Sequence, residues 1–263
     1  MRLLLCTAAA AVSVFAQTGA DPQPRMTCEG NHNSGSQSRF CEIREQTVAY
    51  PGQLNVDGRE NGGISVYGWS RQDVLVRSKV EAYAESDGEA KGLAGQVRVN
   101  TSAGKIAADG PASENHRNWS VSYEIFVPHS ANLELNTQNG GIHISGVSGT
   151  IAFSAVNGGI HLADIGGSVK GKTVNGGLHI ELAGPTWHGQ GLDAETTNGG
   201  VHMTMPAHYS AHLETSTTNG GMHVDLPGAS QLNKTHGVSM DVGSGGPVLR
   251  VITTNGGVHI AAS

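Results

Sequence analysis

The sequence has few charged and few aromatic residues. In 263 residues, 14% are charged and 5% are aromatic, and the formal net charge is −6. This weak negative balance does not suggest the basic surface typical of nucleic-acid-binding proteins. After residue 16, no apolar run approaches the roughly 20 residues of a membrane-spanning helix. We therefore expect neither a nucleic-acid partner nor a membrane-spanning chain.

Cysteine is also scarce, and one of the three cysteines lies in an N-terminal segment of its own. Residues 1–16, MRLLLCTAAAAVSVFA, combine a basic start at Arg2 with an apolar run, a pattern typical of a secretory signal peptide. Leu5 stands where a lipoprotein would have a small residue before the modified Cys6. The sequence predicts removal of residues 1–16 and a bacterial extracytoplasmic protein, periplasmic or secreted.

Removal of that segment leaves Cys28 and Cys41 as an even pair in an oxidising compartment. We expect them to form a disulfide within a polar N-terminal segment, residues 17–45. Closing this loop would contribute about 3 kcal/mol in the chain-entropy model. A zinc site with His32 is the alternative, although three ligands do not complete a structural zinc site.

Glycine, in contrast, is abundant, with 38 residues, and many belong to a repeated Asn-Gly-Gly motif. The motif begins at Asn61, Asn139, Asn157, Asn175, Asn198, Asn219 and Asn255. From Asn139 onward the copies are 18, 18, 23, 21 and 36 residues apart. Because the last step is twice eighteen, we interpret residues 235–242 as a degraded copy. The unit is therefore about eighteen residues long.

Alternating apolar residues before and after each motif predict half-buried strands. Ile142 and Ile144 are expected to point inward and His143 outward. Asn-Gly is also a hairpin signal, because both residues tolerate positive φ, so an antiparallel meander is one possible architecture. A parallel β-solenoid is the other, and it rewards the same residue at the same place in every coil. The repeated identities favour the solenoid.

Several segments indicate the family that the chain resembles. They are the repeats TVNGGLHIEL and AVNGGIHLADIGGSVKGKTVNGG, the SYEIFVP segment and the Cys28–Cys41 entry. The chain resembles the bacterial putative-adhesin family of β-strand-repeat proteins, a domain of unknown function related to toastrack envelope domains. The resemblance covers roughly residues 40–263. It implies an all-β fold, a single-stranded right-handed parallel β-helix in an extracytoplasmic location, with no established catalytic residues.

Residues 46–263 are interpreted as one solenoid domain, irregular over 46–130 and built of Asn-Gly-Gly repeats over 131–263. In the irregular part, a short helix is expected around residues 89–94, capped by Ser86 or Asp87, and a loop over residues 105–119. The C-terminal strand has no obvious cap. Its edge could pair with a second copy of the chain.

Six histidines share the position after the glycines and one apolar residue, and they form the main candidate binding set: His143, His161, His179, His202, His223 and His259. In a solenoid they would lie in one exterior column. They could be tolerated outward residues whose rings stack on one another. They could also bind metal, since imidazole suits zinc, copper or nickel, or form a pH-sensitive surface. Ser65 and Ser239 interrupt the set.

Signals for catalysis are weaker. The carboxylates of interest are scattered over the repeats: Asp164, Glu181, Glu195, Glu214 and Asp225. A strand expected around residues 205–215 puts His208 and His212 on one face, too far apart to share a metal. The three tryptophans, Trp69, Trp119 and Trp187, are isolated and more typical of packing than of a sugar platform. We predict no catalytic residue and no cofactor, and we assign no metal ligand.

The pattern favours a non-enzymatic envelope module or adhesin that presents a repetitive surface to a polysaccharide or protein. A carbohydrate-active enzyme, either a lyase or a hydrolase, on the same scaffold is the main alternative. A structural envelope protein that assembles through its C-terminal edge is a third.

Overall fold

The computed structural model describes residues 26–29, 37–114, 116–227 and 236–263. The expected signal peptide, residues 1–16, and His32 lie outside the described residues. The described chain forms twenty strands, arranged in two ten-stranded sheets, and one α-helix.

In spatial order, the first sheet contains β1 (Ser38–Ala49), β4 (Asp73–Ala84), β7 (Asn118–Pro128), β3 (Ile64–Trp69), β9 (Ile142–Ser145), β11 (Ile160–Ala163), β13 (Leu178–Glu181), β15 (Val201–Met205), β20 (Val258–Ala262) and β17 (Met222–Asp225). The second sheet contains β18 (Gly237–Val242), β16 (Ala211–Asn219), β19 (Val248–Asn255), β14 (Gly191–Asn198), β12 (Gly166–Asn175), β10 (Ser148–Asn157), β8 (Leu133–Thr137), β2 (Leu54–Asp57), β6 (Lys105–Asp109) and β5 (Arg98–Asn100).

The central strands of both sheets run parallel and in register. A strand of the second sheet ends at the motif's asparagine, and after the two glycines the chain continues as a strand of the first sheet; we call each such pair a coil. Asn157 is aligned with Asn175, which is aligned with Asn198. Parallel pairing at the motif rules out the antiparallel meander. Among the described strands, antiparallel pairs occur only towards the ends, in β1–β4–β7, β5–β6 and β16–β18.

The coils do not stack in the order of the sequence. The last coil, β19–β20, lies between β14–β15 and β16–β17. At the other end, β6 and β7 lie outside β2 and β3. The expectation of a free C-terminal edge is wrong, because β20 pairs with β15 on one side and β17 on the other. The edge strands at this end are β17 and β18.

Two further expectations need correction. The proposed degraded repeat within residues 235–242 is strand β18, which pairs antiparallel with β16 in the second sheet. Ser239 consequently faces Glu214 and does not belong to the histidine column. The loop expected over residues 105–119 begins with strand β6 and ends within β7. Strand β6 pairs parallel with β2, and its Ile106 and Ala108 join the core.

The predicted helix is confirmed and extends over Asp87–Gln96, with the Ser86 side chain accepting from the Glu89 backbone N–H. Its Leu93 and Ala94 join the core. The core lies between the two sheets, since inward residues of both, such as Ile142 and Leu135, form one buried cluster. The strands of the repeats leave their other face to solvent, whereas Trp69, Leu75 and Phe126 of β3, β4 and β7 form a second, smaller buried cluster.

Candidate binding face: the turns and the histidine column

The motif asparagines form a one-way ladder along the stack. Except at Asn61, the Nδ2 of each motif asparagine donates to the Oδ1 of a neighbouring coil's asparagine at 2.7–3.1 Å. In spatial order the ladder contains Asn219, Asn255, Asn198, Asn175, Asn157, Asn139 and Asn61. All seven amides therefore have the same orientation.

The first glycine of each motif is required because the neighbouring coil passes very close to it. A Cβ on Gly158 would lie 2.0 Å from the carbonyl oxygen of Gly140, and one on Gly176 would lie 2.1 Å from that of Gly158. The second glycine has room: a Cβ on Gly159 would be 3.6 Å from its nearest neighbour. The motif glycines do not have positive φ. Close stacking, and not turn geometry, therefore explains the first glycine.

A threonine that also joins adjacent coils was not identified from the sequence. Two residues before the asparagine, a threonine Oγ1 donates to the carbonyl of the first glycine in the adjacent coil at 2.7–2.8 Å. The threonines are Thr137, Thr173, Thr196, Thr217 and Thr253. Their side chains are nearly buried. The signal was readable, since Thr-x-Asn-Gly-Gly recurs five times.

The structure brings the six predicted histidines together in one column on the outer face of the first sheet. Their order along the sheet is His143, His161, His179, His202, His259 and His223. Neighbouring ring centroids are 4.6–5.1 Å apart. Ser65 continues the column beside His143. Imidazole rings thus recur at about the strand spacing.

The ring geometry changes along the column. His143, His161 and His179 meet edge to face, with interplanar angles of 88° and 81°. Beyond His179 the rings are stacked, and His202 and His259 are nearly parallel at 2°. The change occurs where Glu181 reaches the column.

Glu181 is the carboxylate in contact with the column. Its Oε1 lies 2.8 Å from Nε2 of His179 and 3.4 Å from Nε2 of His161. The His179 contact is a hydrogen bond and is the main cause that lowers the pKa of Glu181. The buried His161 nitrogen is within ion-pair distance of the oxygen but makes no hydrogen bond to the described residues.

His202 is the next ring along the column. The residue two positions after it on the same strand is Thr204, whereas the residue two positions after His179 is Glu181. Burial lowers the pKa of His202, and the neighbouring charges of His179 and His259 lower it further. This part of the column therefore favours neutral imidazole.

The other predicted carboxylates do not converge. Asp164 lies in a turn with φ 47°, and Asp225 lies on the edge strand β17. Glu195 shares Arg250 with Asp193, at 2.6 Å for each contact. These positions match solvated or ion-paired strand residues.

Glu214 lies near His212 on the second sheet, where a polar cluster went unnoticed in the sequence. His212 Nδ1 lies 2.8 Å from Asp241 Oδ1, and its Nε2 lies 3.1 Å from Ser239 Oγ. His208 is in the turn between β15 and β16, so the strand expected around residues 205–215 is interrupted there. The antiparallel pairing of β18 with β16 creates the cluster, and its register was not readable from the repeat.

The tryptophans do not form a platform. Trp69 and Trp187 are buried in separate clusters. Trp119 is half-buried, with Nε1 donating to the Pro111 carbonyl. It lines a cavity of about 240 Å³ together with Tyr123. Burial raises the pKa of Tyr123.

The disulfide between Cys28 and Cys41 is confirmed, with Cα atoms 5.8 Å apart. It removes both sulfurs from the alternative zinc site with His32. Within the described residues, no helix is both long and apolar enough to cross a bilayer.

A family model described as Toastrack DUF4097 matches residues 52–261. A putative cell adhesion protein from Clostridium sporogenes superposes with a TM-score of 0.48 at 10% identity, covering 85% of this chain and all of that one. A putative adhesin from Bacteroides fragilis gives a TM-score of 0.37 at 10% identity, covering 84% and 97%. A putative lipid binding protein from Parabacteroides distasonis gives 0.37 at 8%, covering 84% and 96%. No curated protein matches the sequence.

Proposed function

The chain belongs to the Toastrack DUF4097 family, and from that premise we propose that it is a non-enzymatic, extracytoplasmic binding module of the cell envelope. In this proposal, residues 1–16 are a signal peptide. Residues 17–45 are a disulfide-tied entry, and residues 46–263 form one right-handed solenoid domain. The Cys28–Cys41 disulfide supports an oxidising compartment.

The histidine column is the observation that carries the proposal. Six imidazoles lie at a nearly constant spacing on one sheet face, and each is half-buried or exposed. A polymer with regularly placed polar groups can contact several of these rings at once. Weak contacts then add through effective concentration, as an adhesin-like module requires. The ligand class is a polysaccharide or protein of the envelope.

The absence of catalysis is part of the same proposal. Glycoside hydrolysis needs two carboxyl groups that flank one bond. Among the predicted carboxylates, Glu195 is held by Arg250, and Glu181 is held by His179. The aligned outward side chains of the sheets favour binding along a surface over a reaction within a cleft.

The test is binding of the purified protein to a panel of envelope polysaccharides and envelope extracts, with EDTA present so that metal does not contribute. The variant replaces His143, His202 and His259 by serine, the residue that occupies this position at Ser65. The control replaces Lys170 and Lys172 on the second sheet by serine. We expect at least about tenfold weaker binding for the histidine variant and unchanged binding for the control.

Equal loss in both variants would contradict the proposed face. Turnover of a polysaccharide, abolished by one carboxylate substitution, would favour the enzyme alternative. Concentration-dependent fibres would favour the structural one.

A further inference from the structure

We propose that His161, His179 and Glu181 form a binding site for one first-row divalent metal ion of the zinc class. The site lies within the histidine column, and it differs from the rest of the column because a ligand atom from each of three residues lies close to the other two there. Its prediction concerns the metal alone and does not depend on the identity of the envelope ligand.

The three ligand atoms already lie at distances close to those of a metal site. A ring nitrogen of His161, a ring nitrogen of His179 and a carboxylate oxygen of Glu181 are all within 4.8 Å of one another. Two of the separations, from Oε1 to the two nitrogens, are 2.8 and 3.4 Å. Ligands about 2.0–2.1 Å from a tetrahedral zinc ion are about 3.3 Å apart. Rotation of partly exposed side chains closes the remaining difference.

The fold explains why the three residues meet. His161 and His179 are aligned neighbours on parallel strands β11 and β13. Glu181 follows His179 by two residues, and therefore points to the same side of the sheet. Its aligned neighbours are Ala163 and Thr204, which carry no charge and leave room for the carboxylate to bend towards the column.

The unsatisfied nitrogen of His161 is the second observation that points to a ligand. This Nε2 is buried and makes no hydrogen bond to the described residues. Buried polar atoms without a hydrogen-bond partner are uncommon in folded proteins. A metal ion between this nitrogen and Glu181 would satisfy it, because imidazole coordinates through a ring nitrogen that carries no proton.

The same position in the other coils does not repeat the group. The residue two after the column histidine is Ser145, Ala163, Thr204 or Ala261 elsewhere, and Asp225 only on the edge strand β17. Within the described part of the chain, His161, His179 and Glu181 are the one set of three such ligands whose atoms lie within 4.8 Å of one another. His223 and Asp225, a histidine and a carboxylate at the same spacing as His179 and Glu181, therefore serve as a matched control.

The donor set indicates the metal class. Two imidazole nitrogens and one carboxylate oxygen suit zinc, cobalt, nickel or copper and disfavour calcium and magnesium, which prefer oxygen ligands. The Glu181 side chain is 51% exposed, so the face beyond it is open to solvent. A fourth ligand from water or from a docked partner can complete the coordination there.

The test is calorimetric titration of the purified, EDTA-treated protein with zinc chloride, together with cobalt absorption spectra. We expect one saturable zinc site per chain and the intense visible bands of tetrahedral cobalt. Glu181→Gln and His179→Ala should weaken zinc binding at least about tenfold and abolish the cobalt bands. His223→Ala and Asp225→Asn should leave both unchanged. Thermal melts without metal verify that each variant is folded.

Absence of saturable binding would overturn the proposal. So would unchanged affinity in Glu181→Gln, or equal loss in His223→Ala, which would indicate diffuse binding along the column. Because EDTA is present in the polysaccharide assay and no polysaccharide is present here, failure of one proposal is distinguishable from failure of the other.

Discussion

At the scale of single residues, the side chains and backbone of each motif contact the motif of the adjacent coil. Asn157 bonds to Asn139, Gly158 approaches Gly140, and Thr173 reaches the carbonyl of Gly158. Each contact depends on residue identity and on register together. A change at one position is therefore felt across a coil boundary.

The two glycines of one motif should differ sharply in their tolerance of alanine. Gly158→Ala puts a Cβ 2.0 Å from the backbone oxygen of Gly140, whereas Gly159→Ala meets its nearest atom at 3.6 Å. We expect Gly158→Ala to lower the free energy of unfolding by about 1–3 kcal/mol, the usual range for overpacking. Gly159→Ala should change it by less than about 0.5 kcal/mol. Urea unfolding of both variants checks this, and equal effects would contradict a role for close stacking.

The threonine that donates across the coil boundary should matter more than its neighbour. Thr196 donates to the carbonyl of Gly176 at 2.7 Å and is 3% exposed, whereas Thr197 is exposed. Thr196→Val keeps the shape but leaves that carbonyl without its donor, at a cost of about 1–3 kcal/mol. Thr197→Val is the matched control, with a change below about 0.5 kcal/mol. Denaturant midpoints that fall equally in both variants would refute the role of the hydrogen bond.

A buried tyrosine should make the protein sensitive to alkali. Burial raises the pKa of Tyr209 to about 12. The unfolded chain loses this proton near pH 10, so the contribution to stability is complete below pH 10 and is lost as pH rises towards 12. Tyr209→Phe should reduce the fall in unfolding free energy over that range. Unfolding curves at several pH values measure the slope, and an identical slope in the variant would exclude Tyr209 as a cause.

At the scale of elements, the sequence predicts where the strands are better than it predicts which strands pair with each other. Period-two alternation and the motif indicated the parallel strands and the column of six histidines. The position of β19–β20 inside the stack was not readable, because the coils share the same asparagine and glycine contacts and most of them also share the threonine contact. The extra antiparallel strand β18 was missed for a related reason: its apolar pattern resembles a repeat, and its direction depends on a long-range pairing.

The inserted coil gives a prediction for truncation. Removing residues 244–263 deletes β19–β20, which separates β14–β15 from β16–β17. We expect the amide protons of residues 211–225 to lose protection from hydrogen exchange, although they precede the deletion. In a stack wound strictly in sequence order, those residues would lose only an end neighbour and would keep their protection. Exchange measured by mass spectrometry distinguishes the two results.

At the scale of the whole molecule, register converts a short repeat into a continuous surface. The core between the sheets fixes which residues face inward, and parallel alignment places like residues side by side. The histidine column was predictable because both features were visible in the sequence. The convergence of Glu181 on two of the histidines was not, since it depends on which coils are adjacent and on small neighbours at Ala163 and Thr204.

The alignment of the column across the inserted coil is the central claim, and engineered disulfides test it most directly. His202 and His259 are aligned on adjacent strands, as are His223 and His259, whereas β20 separates His202 from His223. Adjacent strands lie about 4.8 Å apart, which is within reach of a disulfide. Strands two positions apart are separated by about 9.6 Å, which is too far for one. We predict that oxidised His202→Cys/His259→Cys protein contains the new disulfide by peptide mass mapping and that His202→Cys/His223→Cys protein does not. A cross-link in the second pair and none in the first would contradict the account.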